Sequence, residues 1–373
     1  MTPAADDPRE ALRQAVNEAT QDGTVAGLVL AAADATGTRL GCVAGHAALL
    51  PQAEAMAVDT LFDLASLTKV LSTTLVALRL WDRGQLDLDE PLRAAAPGRY
   101  PTEKGALTPR LLLTHTAGLP PFVPFQRHFP PTAPDPERVR DEVLARVREV
   151  PLATRPQANV VYSDLGLVLL GDLIECRTGT RLDRLFAAEV AAPLGLRDTF
   201  YIHRQSPLPE AIRPPADFAA TECCAWRQTL VRGQVHDENA FLLLGVAGHA
   251  GLFGTASDVM TIAEELLRAL TQPSRLLSRA AAEAMTTPQP VTGGNPRGLG
   301  WALNAPGSSC GHGFSARAFG HTGFTGTSCW IDPDLGNVVV LLANRVHPTR
   351  DNDRFLSWRP RCHDLAMAAL GQD

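Results

Sequence analysis

No long run of lysine and arginine occurs in the 373 residues, and the net charge is −6. A protein that follows a nucleic acid backbone presents a basic patch, so that class of partner is excluded. No apolar stretch approaches the roughly 20 residues that cross a bilayer. The cysteines number seven, an odd count, and none are spaced Cys-x-x-Cys. That usage speaks for free thiols in a reducing compartment and against a disulfide frame or a zinc knot. The first ten residues lack the basic and then apolar regions of a secretory signal, so the expectation is cytoplasmic, or periplasmic or secreted if the start is not native. Internal repeats and low-complexity tracts are missing too. What the chain does have is a hydrophobic content of 45% and a charged content of 20%, ordinary for a globular protein. Its length suffices for a large core and two lobes.

One stretch organises the rest. Leu61 to Gly84 reads as a short extended segment, then a helix opening at Ser66 and stopping at Gly84, a residue suited to a left-handed helix end. Leu67, Val70, Leu71, Leu75, Leu78, Leu80 and Trp81 cover nearly every side of it, which places the helix inside a domain. Lys69 sits in its first turn, on the same face as Ser66. The helix dipole and burial both disfavour an ammonium there, so the expected lysine is neutral and able to take a proton. A serine beside an unprotonated amine is an activated nucleophile. The structural alternative is a capping Ser66, but a capping box would put Glu or Gln at position 69.

Residues 8–22 read as an amphipathic helix, with strand-like runs at 25–33 and 39–44 separated by a turn at 34–37. Residues 107–119 begin a helix with proline just inside it. Seven prolines in 120–136 mark an extended loop of the kind that walls a cleft. Helices are expected at 137–149, 164–178, 181–191 and 257–270, and Pro207, Pro209, Pro214 and Pro215 mark another long connection. Strands return at 299–303, 318–323, 327–332 and 337–344, and a helix at 360–370 closes the chain. Strands at both ends with helices between imply an α+β fold. The expectation is one antiparallel sheet lobe from 1–86 and 290–373 and a mainly helical lobe, 87–289, inserted in it. The active site is expected in the cleft between the two.

Two further motifs carry chemistry. Tyr162-Ser163-Asp164 precedes an apolar helix; either Ser163 or Asp164 caps that helix, or Tyr162 presents its phenol to the cleft and shares a proton with Lys69. Residues 320–328 read Gly-His-Thr-Gly-Phe-Thr-Gly-Thr-Ser. Their three glycines imply close approach by another backbone, that of a substrate, with His321 and Thr322 offering hydrogen bonds and a strand amide facing an oxyanion.

Taken together, Ser66-Leu-Thr-Lys69, Tyr162-Ser-Asp164 and His321-Thr-Gly323 resemble the three motifs of the class C β-lactamase and penicillin-binding-protein family of serine hydrolases. The resemblance extends through Leu112–Pro120, Pro193–Thr199 and Gly248–Ser257, so it covers most of the chain. It implies a β-lactamase/transpeptidase-like fold and an acyl-enzyme route. In that route Ser66 attacks a carbonyl while Lys69 and Tyr162 move protons. The backbone N–H groups of Ser66 and Phe324 form the oxyanion hole, and Asp164, His321, Thr322, Gly323 and His249 contact substrate. No cofactor and no metal is implied; His236, Asp237 and His249 lack the spacing of zinc ligands.

Two departures narrow the substrate. His321 stands where the family usually has lysine, and histidine is mostly neutral at pH 7. Asp164 stands where the family usually has asparagine, and a carboxylate only accepts hydrogen bonds. Both weaken the fit to a carboxylate-bearing β-lactam, and the expected substrate is a small ester, amide or peptide-like molecule. Residues 233–251 resemble a subgroup found beside β-N-acetylglucosaminidase-type enzymes, which points toward a muropeptide amidase. The rivals are a β-lactamase or D-alanyl-D-alanine peptidase, and a binding or sensing protein that does not turn over. Gly307-Ser-Ser-Cys-Gly311 matches a nucleophile elbow, but no strand-to-helix turn is expected there, so Ser309 is rejected.

Overall fold

The computed structural model of the protein describes residues 7–208, 212, 216–290 and 293–371. Pro209, Pro214 and Pro215 of the second proline-rich connection lie outside them, as does the amino terminus. The two ends of the chain build one sheet. Its spatial order is Glu54–Ala55, Arg39–Ala48, Gly27–Ala33, Asn337–Ala343, Ser328–Asp332, Phe319–Thr322, Ala302–Leu303, with every pairing antiparallel. The seam between early and late strands sets Leu28 opposite Ala343 and Ala33 opposite Val338.

Because side chains alternate along a strand, each face of this sheet buries its own set. Leu28, Leu30, Trp330, Val339 and Leu341 meet the terminal helices Pro8–Gln21 and Arg354–Leu370 through Leu12, Val16, Phe355 and Ala366. Val29, Ile331, Val338, Val340 and Leu342 belong to a larger cluster that runs on through the Ala256–Ala269 helix and the middle of the chain. Each such side chain contributes about 1.5–3 kcal/mol by leaving water. The apolar alternation explains the strands; the helices between them explain the α+β class.

Several boundaries differ from the expectation, each for a local reason. The helix after Ser66 is not α-helical throughout: after Leu67 and Thr68, Lys69–Thr74 is a π-helix, and Leu75–Asp82 is α-helical before Gly84 turns at φ +66°. The helix expected to run to residue 119 ends at Leu113, since His115 adopts φ +56°. The strand expected at 299–303 shrinks to Ala302–Leu303 because Gly300 turns at φ +81° against Thr74. The closing helix begins at Arg354 and carries Pro360 inside it, the residue that displaced its expected start. A small three-stranded sheet, Phe62–Asp63, Leu252–Gly254 and Phe200–Tyr201, was not expected, its strands being two or three residues long.

The glycines at 320, 323 and 326 serve the protein's own packing. A Cβ on Gly320 would lie 2.3 Å from the Trp330 ring, and one on Gly323 would lie 2.1 Å from Thr327 Oγ1 and 2.7 Å from the Leu64 carbonyl. Gly323→Ala is therefore expected to cost about 1–3 kcal/mol of unfolding free energy through overpacking. Gly41→Ala, whose Cβ would meet only the Leu30 carbonyl at 4.0 Å, is the control. Urea midpoints that fall equally for both variants contradict this reading.

Candidate active site

Ser66 follows a backbone turn that is held by the late strands. Ala65 occupies the left-handed region at φ 47°, a conformation a non-glycine residue keeps only when its surroundings enforce it. Asp63 Oδ1 accepts the Ala65 amide at 2.8 Å, and Asp63 Oδ2 accepts the His236 amide at 2.6 Å. From the other side, Thr325 Oγ1 donates to the Asp63 carbonyl at 2.7 Å and Thr327 Oγ1 to the Leu64 carbonyl at 3.0 Å. The absence of a Cβ on Gly323 lets this contact close. The turn and the His321–Gly323 strand are thus one unit.

The π-helix that follows is anchored through its threonines and serine. Thr74 Oγ1 donates to the Lys69 carbonyl at 2.7 Å, Thr73 Oγ1 to the Gly248 carbonyl at 2.7 Å, and Ser72 Oγ accepts from the Tyr201 hydroxyl at 2.9 Å. Such π segments recur at functional sites. This one holds Lys69 fully inside, 1% exposed. Its Nζ donates to Ser66 Oγ at 2.8 Å and to the His249 carbonyl at 3.0 Å, and lies 2.7 Å from Asp164 Oδ1.

Three acceptors around one nitrogen are the shell of an ammonium, which has three donors. Burial opposes the charge, but Asp164 and then Tyr162 outweigh it, and the Lys69 pKa is raised above the usual lysine value. The expectation of a neutral lysine is corrected here: the helix end and burial do disfavour the charge, and the carboxylate of Asp164, in the next motif, restores it.

Asp164 is correspondingly not a cap. Ser163 stands at the cap position of the Asp164–Thr178 helix without a side-chain cap bond; its hydroxyl donates to the Pro120 carbonyl at 2.7 Å and its amide to His115 Nδ1 at 3.1 Å. Tyr162 lies in the cleft between the His115 and His321 rings, 4.7 and 5.7 Å away by centroid, with Lys69 Nζ 5.0 Å from its own centroid.

His321 Nδ1 donates to the Thr322 carbonyl at 2.8 Å. Burial, then Arg297 and Lys69, push the His321 pKa well below the usual imidazole value, so it is neutral with Nε2 left as an acceptor. Among the described residues the amide N–H groups of Ser66 and Phe324 donate to no protein atom. The Phe324 carbonyl accepts from Arg345 Nε at 2.8 Å, its ring stacks on His236 at 5.8 Å, and Arg345 lies 4.6 Å from its centroid.

His249 is buried and reaches the site through its carbonyl. Its Nε2 bonds Asp237 Oδ1 at 2.8 Å, and Asp237 also accepts the Ala240 amide at 2.7 Å as the cap of Glu238–Leu242. Burial works against the Asp237 carboxylate, but His249, that amide and Lys69 together hold its pKa well below the usual range. Asp164, Asp237 and His249 bring ligand-type atoms within 4.8 Å of one another. The Lys69 ammonium already supplies the cation these acids face.

Ser66, Tyr162, Asp164, Asp237, His249, His321 and Phe324 line one cleft of about 730 Å³, together with Phe122, Arg297 and Arg359. The three sequence motifs converge there. Sequence reasoning missed Asp63, which is legible only as an isolated acid before the serine, and Arg297 and Arg359, which belong to no motif. His115, read as structural, is buried against Tyr162, and Ser309 sits in a turn where its carbonyl meets His363 Nδ1 at 3.2 Å.

A family model described as Beta-lactamase matches residues 12–358. Over 324 residues the chain is 34% identical to the N-acetylmuramyl-L-alanine amidase of Bacillus subtilis (strain 168), which covers 80% of this chain and 71% of that protein. It is 31% identical over 320 residues to an Escherichia coli (strain K12) protein provisionally named a D-alanyl-D-alanine carboxypeptidase, covering 80% and 72%. Among solved structures, a mutant of simvastatin synthase from Aspergillus terreus superposes with TM-score 0.73 at 23% identity over 100% of both chains, a likeness of fold.

His115, His321 and His363 have pKa values pushed down by burial, that of His363 to about 3. In the unfolded chain these groups protonate near the usual 6.5. Between that value and the lowered folded values the unfolded state binds more protons, so stability falls as pH falls through this window. Urea midpoints at pH 7, 5.5 and 4.5 are expected to decline stepwise; a midpoint unchanged from pH 7 to 4.5 contradicts the buried neutral imidazoles.

Proposed function

The chain belongs to the beta-lactamase family, and from that premise we propose that it cleaves an amide or ester through an acyl-enzyme on Ser66. The observation that carries this is the contact of Lys69 Nζ with Ser66 Oγ at 2.8 Å and Asp164 Oδ1 at 2.7 Å. An ammonium has no lone pair to accept a proton, so the charged pair must act as a relay. As Ser66 Oγ attacks the carbonyl carbon, its proton passes to Lys69 Nζ while Nζ releases one to Asp164. The oxyanion that forms faces the Ser66 and Phe324 amides, dipoles already oriented before reaction. Tyr162, beside Lys69, protonates the leaving group and stays a phenolate facing the Lys69 ammonium, while Asp164 keeps the proton it received. In the second half, water loses a proton to Tyr162 and attacks the acyl carbon, and Ser66 regains its proton through Lys69.

The substrate reading follows the amidase relative: the amide joining an N-acetylmuramyl group to L-alanine is the natural bond to test. Asp164 in place of an amide and a neutral His321 both support a route different from that of a β-lactamase. We place residues 1–86 and 290–373 on one side of the cleft and 87–289 on the other.

Hydrolysis of p-nitrophenyl acetate and butyrate, and of an N-acetylmuramyl-L-alanyl peptide, is expected for the native protein and lost in Ser66→Ala. Asp164→Asn is expected to lower kcat/KM by roughly 10²–10⁴-fold, the contribution of a positioned proton acceptor. Equal rates for native and Ser66→Ala remove the nucleophile. An Asp164→Asn variant that keeps its activity, with its pH–rate profile moved to lower pH, shows that Asp164 only tunes Lys69 and sinks the relay.

A further inference from the structure

Two arginines in the cleft have no partner for their charge. Arg297 Nε and Nη1 are buried without a hydrogen-bond acceptor, and its guanidinium lies 5.4 Å from the Tyr162 centroid. Arg359, 6% exposed, projects from the Arg354–Leu370 helix and leaves Nε buried without an acceptor. Among the described residues no carboxylate comes within ion-pair distance of either. Each has its pKa lowered by burial, that of Arg359 to about 10 with Arg345 adding repulsion. The Tyr162 ring compensates Arg297 in part.

A guanidinium taken out of water and left unpaired is among the most costly groups a protein can carry. Other inward-facing arginines find acceptors. Arg99 and Arg148 share Asp172, Arg232 makes a two-pronged pair with Glu54, and Arg227 and Arg345 donate to backbone carbonyls. In the cleft, burial first, then Arg297 and Lys69, and last Arg359 disfavour the protonated form of His321. The nearby Trp330 Nε1 is also buried without an acceptor and lines the same cleft. Donors without acceptors outnumber the reverse on this side of His321.

We propose that Arg297 and Arg359 form an anion subsite that binds a carboxylate on the substrate while its acyl carbon lies at Ser66. The subsite takes over a task that the neutral His321 cannot perform, from positions off the strand and outside the three motifs. The substrate class narrows accordingly to amides or esters carrying a free carboxylate, such as acylated amino acids and short peptides. This rests on the acyl-enzyme reading of Ser66 and adds a charge requirement to it.

Boronic acids test it directly, because boron bonds to a nucleophilic serine whatever the rest of the molecule. Phenylboronic acids carrying a meta or para carboxylate are compared with the matching carboxamides, by inhibition of p-nitrophenyl acetate hydrolysis and by calorimetry. At least one carboxylate is expected to bind about tenfold more tightly than its carboxamide, a difference of about 1.4 kcal/mol. In Arg297→Gln and in Arg359→Gln that preference is expected to shrink while the carboxamide binds as before; Arg359→Lys is expected to restore part of it. The unchanged carboxamide affinity, with the thermal midpoint, reports that each variant is folded. No carboxylate preference in the native protein overturns the subsite, as do variants that weaken both ligands equally. Binding of neither ligand, with no Ser66-dependent ester hydrolysis, overturns the nucleophile reading and this inference with it.

Discussion

A single buried ammonium governs the centre of this molecule. Lys69 is out of water, and each of its three donors is matched by one acceptor: Ser66 Oγ, Asp164 Oδ1 and the His249 carbonyl. Those acceptors come from three separated parts of the chain, so the charge is tolerated only in the folded arrangement. Removing any one leaves a buried donor unmatched, at a cost of about 1–3 kcal/mol or more for a charged group. The lysine therefore ties the start of the nucleophile helix to the Asp164–Thr178 helix and to the 248–250 segment at once.

The second constraint is steric. Ser66 depends on a strained Ala65, and that strain is carried by Asp63 from within the segment and by Thr325 and Thr327 from the late strands. Gly323 is where the two meet, and any side chain there would separate them. The Ser-x-x-Lys and His-Thr-Gly motifs are therefore mechanically one object, although more than 250 residues lie between the hydrogen-bonded Leu64 and Thr327. Two hydroxyls and one missing methyl do the fastening.

Much of this was legible in the sequence, and the limits have physical causes. Continuous apolar runs such as Val338–Leu342 declared the buried strands, and the all-round apolar helix declared the centre of the domain. The convergence of Ser66, Lys69 and Tyr162 followed from the resemblance of the three motifs to those of the family. The charge on Lys69 did not, because helix dipole and burial act locally and can be read along the chain, whereas Asp164 acts across 95 residues and only through folding. The packing role of the glycines was hidden for a similar reason: sequence shows that a Cβ is missing but not what fills the space. Arg297 and Arg359 were invisible, since a lone arginine in a loop or terminal helix is normally solvated, and only the fold reveals that these two are not.

The electrostatics of the cleft divide along His321. On the Lys69 side, Asp164 and Asp237 outnumber the one ammonium, and on the other side two guanidiniums have no acid at ion-pair distance among the described residues. A charged histidine or lysine at position 321 would add a third cation beside Arg297 and Arg359 and compete with Lys69 for Asp164. Burial keeps His321 neutral instead, with its Nδ1 proton held by the Thr322 carbonyl. The substitution that distinguishes this chain from the usual family motif and the two unpaired arginines are then complementary. Moving cationic charge off the strand leaves the proton relay at Lys69 undisturbed while the cleft keeps its attraction for an anion. A lysine restored at 321 would not simply recover a β-lactamase-like site; it would place a third like charge beside the two arginines.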